Sequence, residues 1–372
     1  MTDESALEAL RERVLALPLQ DEGAEEPRTF DEEDAEARRL VALLAREGLL
    51  RHEELENREV CAIREALAFR SGIADVAFVM QGLGSGAIAR AGTPEQKSAH
   101  LPRLAAGTSI AAIALTEAGA GSDLTLIATR ARRDGDAYVV DGDKTLISNA
   151  GLADVYTLFA RTGDDPRRGL SAFIVHGDDA GLRVTERFRG LAPHPIGALA
   201  FSGCRLPAAR RLGDEGEGFA IAMKVLDFYR PTVGAAALGM ARRALRETIA
   251  HVKGRRQFGA RLADLGGVQA MIADMAVSID AAALLVERAA SAIDAGKPRT
   301  ALESAMAKYR ATETAQTVID RAVQLRGGMG VVRGAAVERL YREVRALRIY
   351  EGASEVQKNI IAREILRGGG GA

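Results

Sequence analysis

The chain has 372 residues, enough for several domains or a multilayered core. Its 50 basic residues balance 51 acidic ones for a net charge of −1, and like charges never cluster beyond a few residues, so neither a nucleic acid nor an anionic membrane surface is implied as partner. Cys61 and Cys204 lie too far apart in sequence to form a metal cluster by spacing, and two cysteines with no signal-like start give the expectation of a reducing cytoplasm.

Residues 1–105 read as helical, with an acidic and less regular first thirty. Residues 35–50 carry an apolar stripe at Leu40, Leu43 and Leu44 with Gly48 as a stop, and residues 59–70 repeat the pattern. Gly92-Thr93-Pro94-Glu95 is a break and a fresh helix start, with Thr93 as cap and Pro94 at the first position. Gly82-Leu83-Gly84-Ser85-Gly86-Ala87 fits the Gly-x-Gly-x-x-Gly/Ala dinucleotide fingerprint after an apolar run at 76–80. The helix that should follow is cut at 92–94, and no second parallel strand appears before Ile110. The glycines are therefore read as sites of close helix packing.

From Ile110 to about Leu212 the pattern is one of strands: 126–133, 137–140, 144–148, 155–161, 170–176 and 182–187 are short alternating or β-branched runs. Asp134-Gly135 and Asp141-Gly142 read as hairpin turns. Strands this close, without intervening helices, predict an antiparallel barrel or sandwich. The most apolar run, near 110–115, is far too short to span a bilayer.

Helical patterns return from Gly218: a long one at 219–253 with Pro231 as a kink, then 268–294 and 300–325, which read as an antiparallel bundle. After a helix at 337–347, Ser354 with Gln357 three residues on makes a capping box for a last helix reaching Leu366. Glu351 sits in the break between these two. A carboxylate at such a joint can point into a cleft, where desolvation lifts its pKa toward that of a useful base. On local pattern alone, the plainer reading is an ordinary surface acid.

Four spaced segments change that balance. Ile349-Tyr350-Glu351-Gly352-Ala353-Ser354 resembles the C-terminal signature of acyl-CoA dehydrogenases, in which this Glu is the catalytic base. Leu115-Thr116-Glu117-Ala118-Gly119-Ala120-Gly121-Ser122-Asp123 resembles the family's flavin-contacting loop, Arg255-Arg256-Gln257-Phe258-Gly259 its Arg-x-x-Phe-Gly segment, and Gln324-Leu325-Arg326-Gly327-Gly328-Met329-Gly330 its Gln-x-x-Gly-Gly-x-Gly turn. They occur in family order, over about 91–366. The resemblance implies an α+β fold: an N-terminal helical domain (1–109), a middle antiparallel β-barrel or sandwich domain (110–213) and a C-terminal four-helix bundle carrying the base (214–372). The N-terminal region is shorter than is typical of the family, which implies a reduced first helix.

The same resemblance implies FAD as cofactor and α,β-dehydrogenation of an acyl-CoA thioester to the trans-2-enoyl-CoA, with Glu351 taking the α-proton. The flavin-binding positions it carries over are Thr116, Gly121, Ser122, Leu146, Ser148, Arg255, Gln257, Phe258, Gln324, Gly327, Gly328, Ala353 and Glu355. The substrate-binding positions are Ser122, Asp227, Arg230, Tyr350 and Gly352. Several of these depart from the family pattern. Leu146 stands where a Trp is usual, in a chain with no Trp at all. The Gln expected eight residues after Phe258 is Gly266, with Gln269 close by, and Ala353 and Glu355 replace the commonest Thr and Gln. Tyr229 occupies the position from which a subset of the family supplies its base, which leaves Glu351 as the family-supported base. His52, His100, His176, His194 and His251 match no catalytic position. The implied partners are an electron-transfer flavoprotein as acceptor and further copies of the chain, as a homotetramer or dimer. A carrier-protein thioester dehydrogenase, an acyl-CoA oxidase and a non-catalytic flavin-binding assembly protein are the alternatives.

Overall fold

The computed structural model describes residues 2–19 and 26–369. Polar caps start its first helices. Asp3 accepts from the Ala6 amide to open α1 (Glu4–Leu15), a first helix of 12 residues. Thr29 and Glu32 form a full capping box on α2 (Phe30–Arg46), and Gly48 ends the turn after it at φ +70°. There follow α3 (Asn57–Arg70), α4 (Gly72–Ala91) and α5 (Pro94–Ala105), the last opened by a Thr93–Gln96 capping box with Pro94 in the first turn. Helix α4 runs unbroken through 76–87, so no strand precedes the glycine motif there.

The strands are β1 (Ala111–Ala114), β2 (Arg130–Asp134), β3 (Ala137–Ser148), β4 (Val155–Arg161), β5 (Leu170–His176), β6 (Leu182–Arg187), β7 (Ile196–Pro207) and β8 (Arg211–Leu212). Asp134-Gly135 does turn a hairpin: Asp134 pairs with Ala137, and Gly135 has φ +62°. Asp141-Gly142 does not. It lies inside the continuous β3 at a register shift, where Gly142 has φ +143° and a Cβ would lie 2.7 Å from the Thr129 Cα. Strand β7, central between β6 and β3, escaped the sequence reading because Gly197 and Ser202-Gly203 interrupt its apolar alternation. The eight-stranded sheet runs β6-β7-β3-β2-β4-β5-β8, with β1 on β4. It is mixed rather than purely antiparallel, since β1 and β2 both pair β4 in parallel.

The remaining elements are α6 (Gly218–Gly254), the two-residue strands β9 (Arg256–Gln257) and β10 (Ala260–Arg261), α7 (Gly266–Asp294), α8 (Ala301–Arg326), α9 (Ala336–Leu347) and α10 (Ser354–Glu364). Pro231 lies within α6. Its missing N–H leaves the Asp227 carbonyl unserved by the helix, and Ser304 of α8 donates there at 3.3 Å. The expected Ser354 capping box is not made. Ala353 is the N-cap of α10, Ser354 donates instead to Glu313 of α8 at 2.5 Å, and Gln357 turns back to backbone carbonyls.

The chain forms two compact units. One comprises Met1–Glu26, Glu56–Asp75 and Asp227–Ala372; the other comprises Pro27–Leu55 and Val76–Leu226. In the second, α4 lies close on the sheet. A Cβ at Gly84 would come within 2.6 Å of both the Ala111 Cβ and the Ala112 amide, Thr157 donates to the Gly84 carbonyl at 2.7 Å, and Gln81 bonds both the Ser109 carbonyl and the Ala111 amide. The glycine motif serves close packing, as its context implied.

In the first unit an alanine-rich core, including Ala235, Ala236, Ala241, Ala282, Ala307 and Ala311, draws α6, α7 and α8 together. Gly239 sets α6 against α3, where a Cβ would fall 2.1 Å from the Glu65 carbonyl oxygen. Among the described residues, two helices, α4 and α7, are long and apolar enough to cross a bilayer by length and composition, longer runs than the one at 110–115 that the sequence pattern singles out. Helix α4 is mostly buried in the protein, whereas little of α7 is fully buried.

Candidate active site

The residues singled out from the sequence fall into two groups, one in each unit. In the sheet unit, a turn at Glu117–Ala120 presents Gly119, Gly121 and Ser122 at the surface. A Cβ at Gly119 or Gly121 would meet nothing within 4 Å, so the fold does not require glycine there and the backbone stands open to a ligand. The turn is anchored by Glu117, whose buried carboxylate accepts from the Ala128 and Thr129 amides at 2.6 and 3.0 Å and from Lys144 Nζ at 2.7 Å. Burial pushes Glu117 up, but Lys144 and its hydrogen bonds pull harder, and its pKa lies below the ordinary value. Burial brings Lys144 down to about 8 against the pull of Glu117. Half-buried Thr116 accepts from the Thr145 amide at 3.0 Å, which ties this turn to the second expected flavin segment.

That segment is strained where function was expected. Leu146 has φ +54° and is 59% exposed, a backbone that costs a branched residue about 1–3 kcal/mol. Two residues on, Ser148 Oγ lies 2.8 Å from His194 Nε2. Burial lowers the His194 pKa to about 4, so the ring is neutral at pH 7. His194 matches no family position. Its pairing with Ser148 spans 46 positions and a β-hairpin, and no local pattern signals it. Elsewhere in this unit His176, Asp178 and Asp179 converge closely enough to hold a cation, but Asp179 is already engaged by Arg210.

The helical unit holds the other group. Glu351 is half-buried at φ +53°, and Gly352 follows at φ +92°. Two consecutive left-handed residues turn the chain sharply between α9 and α10. Gln357 Nε2 donates to the carbonyls of Glu351 and Gly352 at 3.3 and 2.9 Å, and Lys308 Nζ of α8 donates to the Gly352 carbonyl at 2.7 Å. Glu351 Oε2 is buried without a hydrogen-bond partner among the described residues. Burial raises the Glu351 pKa above its ordinary value, opposed by Arg64, Lys308 and Arg230 and assisted by Asp75.

Those charged groups arrive from four helices. Arg64 of α3 is fully buried and pairs with Asp75 of α4 through two bonds of 2.7 and 2.8 Å, with a third bond to Thr232 at 3.0 Å. Its charge also reaches Tyr350, whose pKa is driven upward chiefly by burial. Arg230 pairs with Asp227, whose pKa burial raises. Phe228 and Tyr229 pack edge to face at 5.1 Å.

The remaining expected flavin positions lie on the surface of the same unit. Arg255, Gln257, Gln324, Gly327, Gly328 and Glu355 are exposed and Ala353 is half-buried. Phe258 is 93% exposed at φ +50°. An aromatic ring held out in a left-handed turn is a costly arrangement for a surface without a ligand or partner. Gln269 does not replace the missing Gln at Gly266 in any visible way; it bonds the Ala263 carbonyl of its own turn.

Comparison with known proteins follows the same outline. The middle domain of acyl-CoA dehydrogenases matches residues 112–204, and their C-terminal domain matches residues 216–366. A probable acyl-CoA dehydrogenase of Mycobacterium tuberculosis is 40% identical over 312 residues, 82% of this chain and 80% of that protein. Acryloyl-CoA reductase (NADH) of Anaerotignum propionicum is 45% identical over 288 residues, 76% and 72% of the two chains. The structure of an acyl-CoA dehydrogenase complexed with FAD from Bacillus anthracis matches with a TM-score of 0.90 at 28% identity, over 98% of this chain and 68% of that one.

The chain belongs to the acyl-CoA dehydrogenase family. It is an enzyme of that class, an FAD-dependent oxidoreductase acting on acyl-CoA. Its residues fit the cofactor: open glycine backbone beside Ser122, an exposed apolar Leu146 near the end of β3, an exposed Phe258 in its turn, a hydroxyl at Ser148 and an exposed guanidinium at Arg255.

Proposed function

We propose that this protein oxidises a short acyl-CoA to its trans-2-enoyl-CoA with Glu351 as the base. The observation that carries the reading is the unpartnered Glu351 Oε2, on a carboxylate whose pKa burial raises within a ring of three cations. Oε2 takes the α-proton while backbone donors polarise the thioester carbonyl as enolate-like charge develops. FAD, when bound, supplies the acceptor for the hydrogen that leaves the β-carbon with its electron pair. Thr116, Gly121, Ser122, Leu146 and Ser148 hold the ring in this reading, while Arg255 pairs with the pyrophosphate. Asp227, Arg230, Tyr350 and Gly352 face the thioester.

A short acyl group is the reading we take from the rings of Phe228 and Tyr229, which pack edge to face in the segment before Arg230. An electron-transfer flavoprotein is the proposed acceptor. The similarity to a protein named acryloyl-CoA reductase favours a second reading, in which the same groups run toward the saturated thioester.

The exposed apolar side chains Val277 and Leu284 on α7, together with Met329 and Val331, support self-association of the helical unit. We assign the open face of α7 to a second copy, within a homotetramer or dimer. Glu351→Gln tests the base. The amide is nearly isosteric and cannot accept the proton, so folding and FAD content should persist while reduction by substrate falls more than about 10⁴-fold. Retention of a tenth of the wild-type reduction rate contradicts the assignment.

A further inference from the structure

We propose that Lys308 is a positioning residue for the base: from α8 its ammonium pins the left-handed Glu351–Gly352 turn, which fixes where the Glu351 carboxylate points, and sets its positive charge beside that carboxylate. The inference rests on the reading of Glu351 as base.

Four observations carry it. Lys308 is fully buried, yet its amine is committed to one backbone oxygen, the Gly352 carbonyl, at 2.7 Å. That oxygen belongs to the second of two consecutive left-handed residues, and Glu351, the first, carries a Cβ that disfavours this backbone. The turn is held from one more side, by Gln357 Nε2 on both carbonyls, and a Cβ at Gly352 would lie 2.4 Å from that nitrogen. Strain of this kind persists only where the surroundings over-determine it, and Lys308 and Gln357 are the side chains that do so here.

A neutral donor would bond the same carbonyl at far lower desolvation cost than a buried ammonium. The use of lysine therefore points to its charge, which stands within electrostatic reach of Glu351. Glu351 is faced by Arg64 from α3, Asp75 from α4, Arg230 from α6 and Lys308 from α8. Arg64 is tied to Asp75 and Arg230 to Asp227, each cation opposite its own carboxylate. Lys308 itself also faces Arg230, Glu313 and Glu355. Glu313 is in turn engaged by Arg348 and Ser354. Lys308 is thus the cation whose hydrogen bond goes to the base's own turn.

Two substitutions separate anchoring from charge. Lys308→Met removes both, and Lys308→Gln keeps an N–H donor and removes the charge. The holoproteins are compared by limiting rate of flavin reduction against pH, apparent substrate dissociation constant, FAD content and thermal midpoint. We expect Lys308→Met to lower the limiting rate roughly ten- to a hundredfold with less than about a twofold change in substrate dissociation constant. The acid limb of its rate should move to higher pH, because Glu351 then loses a neighbouring cation.

Lys308→Gln should recover most of the rate on the plateau yet keep the displaced acid limb. If Lys308→Met fails to fold, the limb of Lys308→Gln decides: displaced, it supports the proposal, and unmoved, it overturns it. A wild-type rate and limb in Lys308→Met overturns it, as does equal loss in both variants that tracks only the thermal midpoint. Glu351→Gln run alongside keeps the two ideas apart. An active Glu351→Gln sinks the base itself, whereas an inactive one beside a normal Lys308→Met sinks only the role of Lys308.

Discussion

Two glutamates in this chain lose water to opposite effect. Burial raises Glu351, and the surrounding cations reduce that rise without cancelling it. Burial also acts on Glu117, but Lys144 and two backbone amides outweigh it, and that pKa lies below the ordinary value of 4.5. One is left with a free oxygen suited to accept a proton; the other is locked as an anchor. A folded-state pKa below the unfolded one means that Glu117 contributes stability fully above pH 4.5, and loses it as pH falls through the lowered value. Glu117→Gln strands Lys144 in the interior, so it should cost about 3–5 kcal/mol in denaturant melts at pH 7. The deficit should shrink in acid. A variant within about 0.5 kcal/mol of wild type would show that the pair does not anchor the flavin turn.

Among the elements, α4 shows how closely a helix can lie on a strand. Gly84→Val would drive a side chain into the Ala111 Cβ and the Ala112 amide, and the backbone side of that clash cannot move aside. A loss of about 1–3 kcal/mol is expected in thermal melts, while Gly119→Ala, where a Cβ meets nothing, should change stability by less than about 0.5 kcal/mol. Elements of this kind were legible where their signals are local. The Thr93-Pro94 start, the stop at Gly48 and the Asp134-Gly135 hairpin all form as read. Asp141-Gly142 misled because Asp-Gly signals a hairpin, whereas Gly142 serves the approach of Thr129 within a strand. At the site, motif resemblance drew attention to Glu351, whose local pattern alone resembles a surface acid. Lys308 and His194 stayed hidden because their partners lie far away in sequence, Gly352 being 44 positions beyond Lys308 and Ser148 46 before His194, and Arg64 because Asp75, 11 positions on, lies on a separate helix.

For the whole molecule, the exposed Phe258 turn, Arg255 and the 324–328 turn share the surface of the helical unit with the open face of α7. In the proposed reading, flavin retention depends on Arg255 and self-association on the open face of α7. Arg255→Ala should lower bound FAD per chain more than it lowers the thermal midpoint of the apoprotein, and gel filtration of wild type should show an oligomer. A monomer with full FAD occupancy contradicts both expectations. Whether the chain removes the α- and β-hydrogens of a short acyl-CoA is decided by anaerobic single-turnover mixing. Oxidised holoprotein is mixed in turn with butyryl-, isobutyryl-, octanoyl- and palmitoyl-CoA while flavin bleaching and enoyl-CoA formation are followed together. The four-carbon esters should bleach the flavin fast, with one enoyl-CoA formed per flavin, and palmitoyl-CoA slowly. Bleaching fastest with palmitoyl-CoA would mean that the acyl site is not short; no bleaching and no enoyl-CoA with any ester would mean that the chain does not dehydrogenate an acyl-CoA.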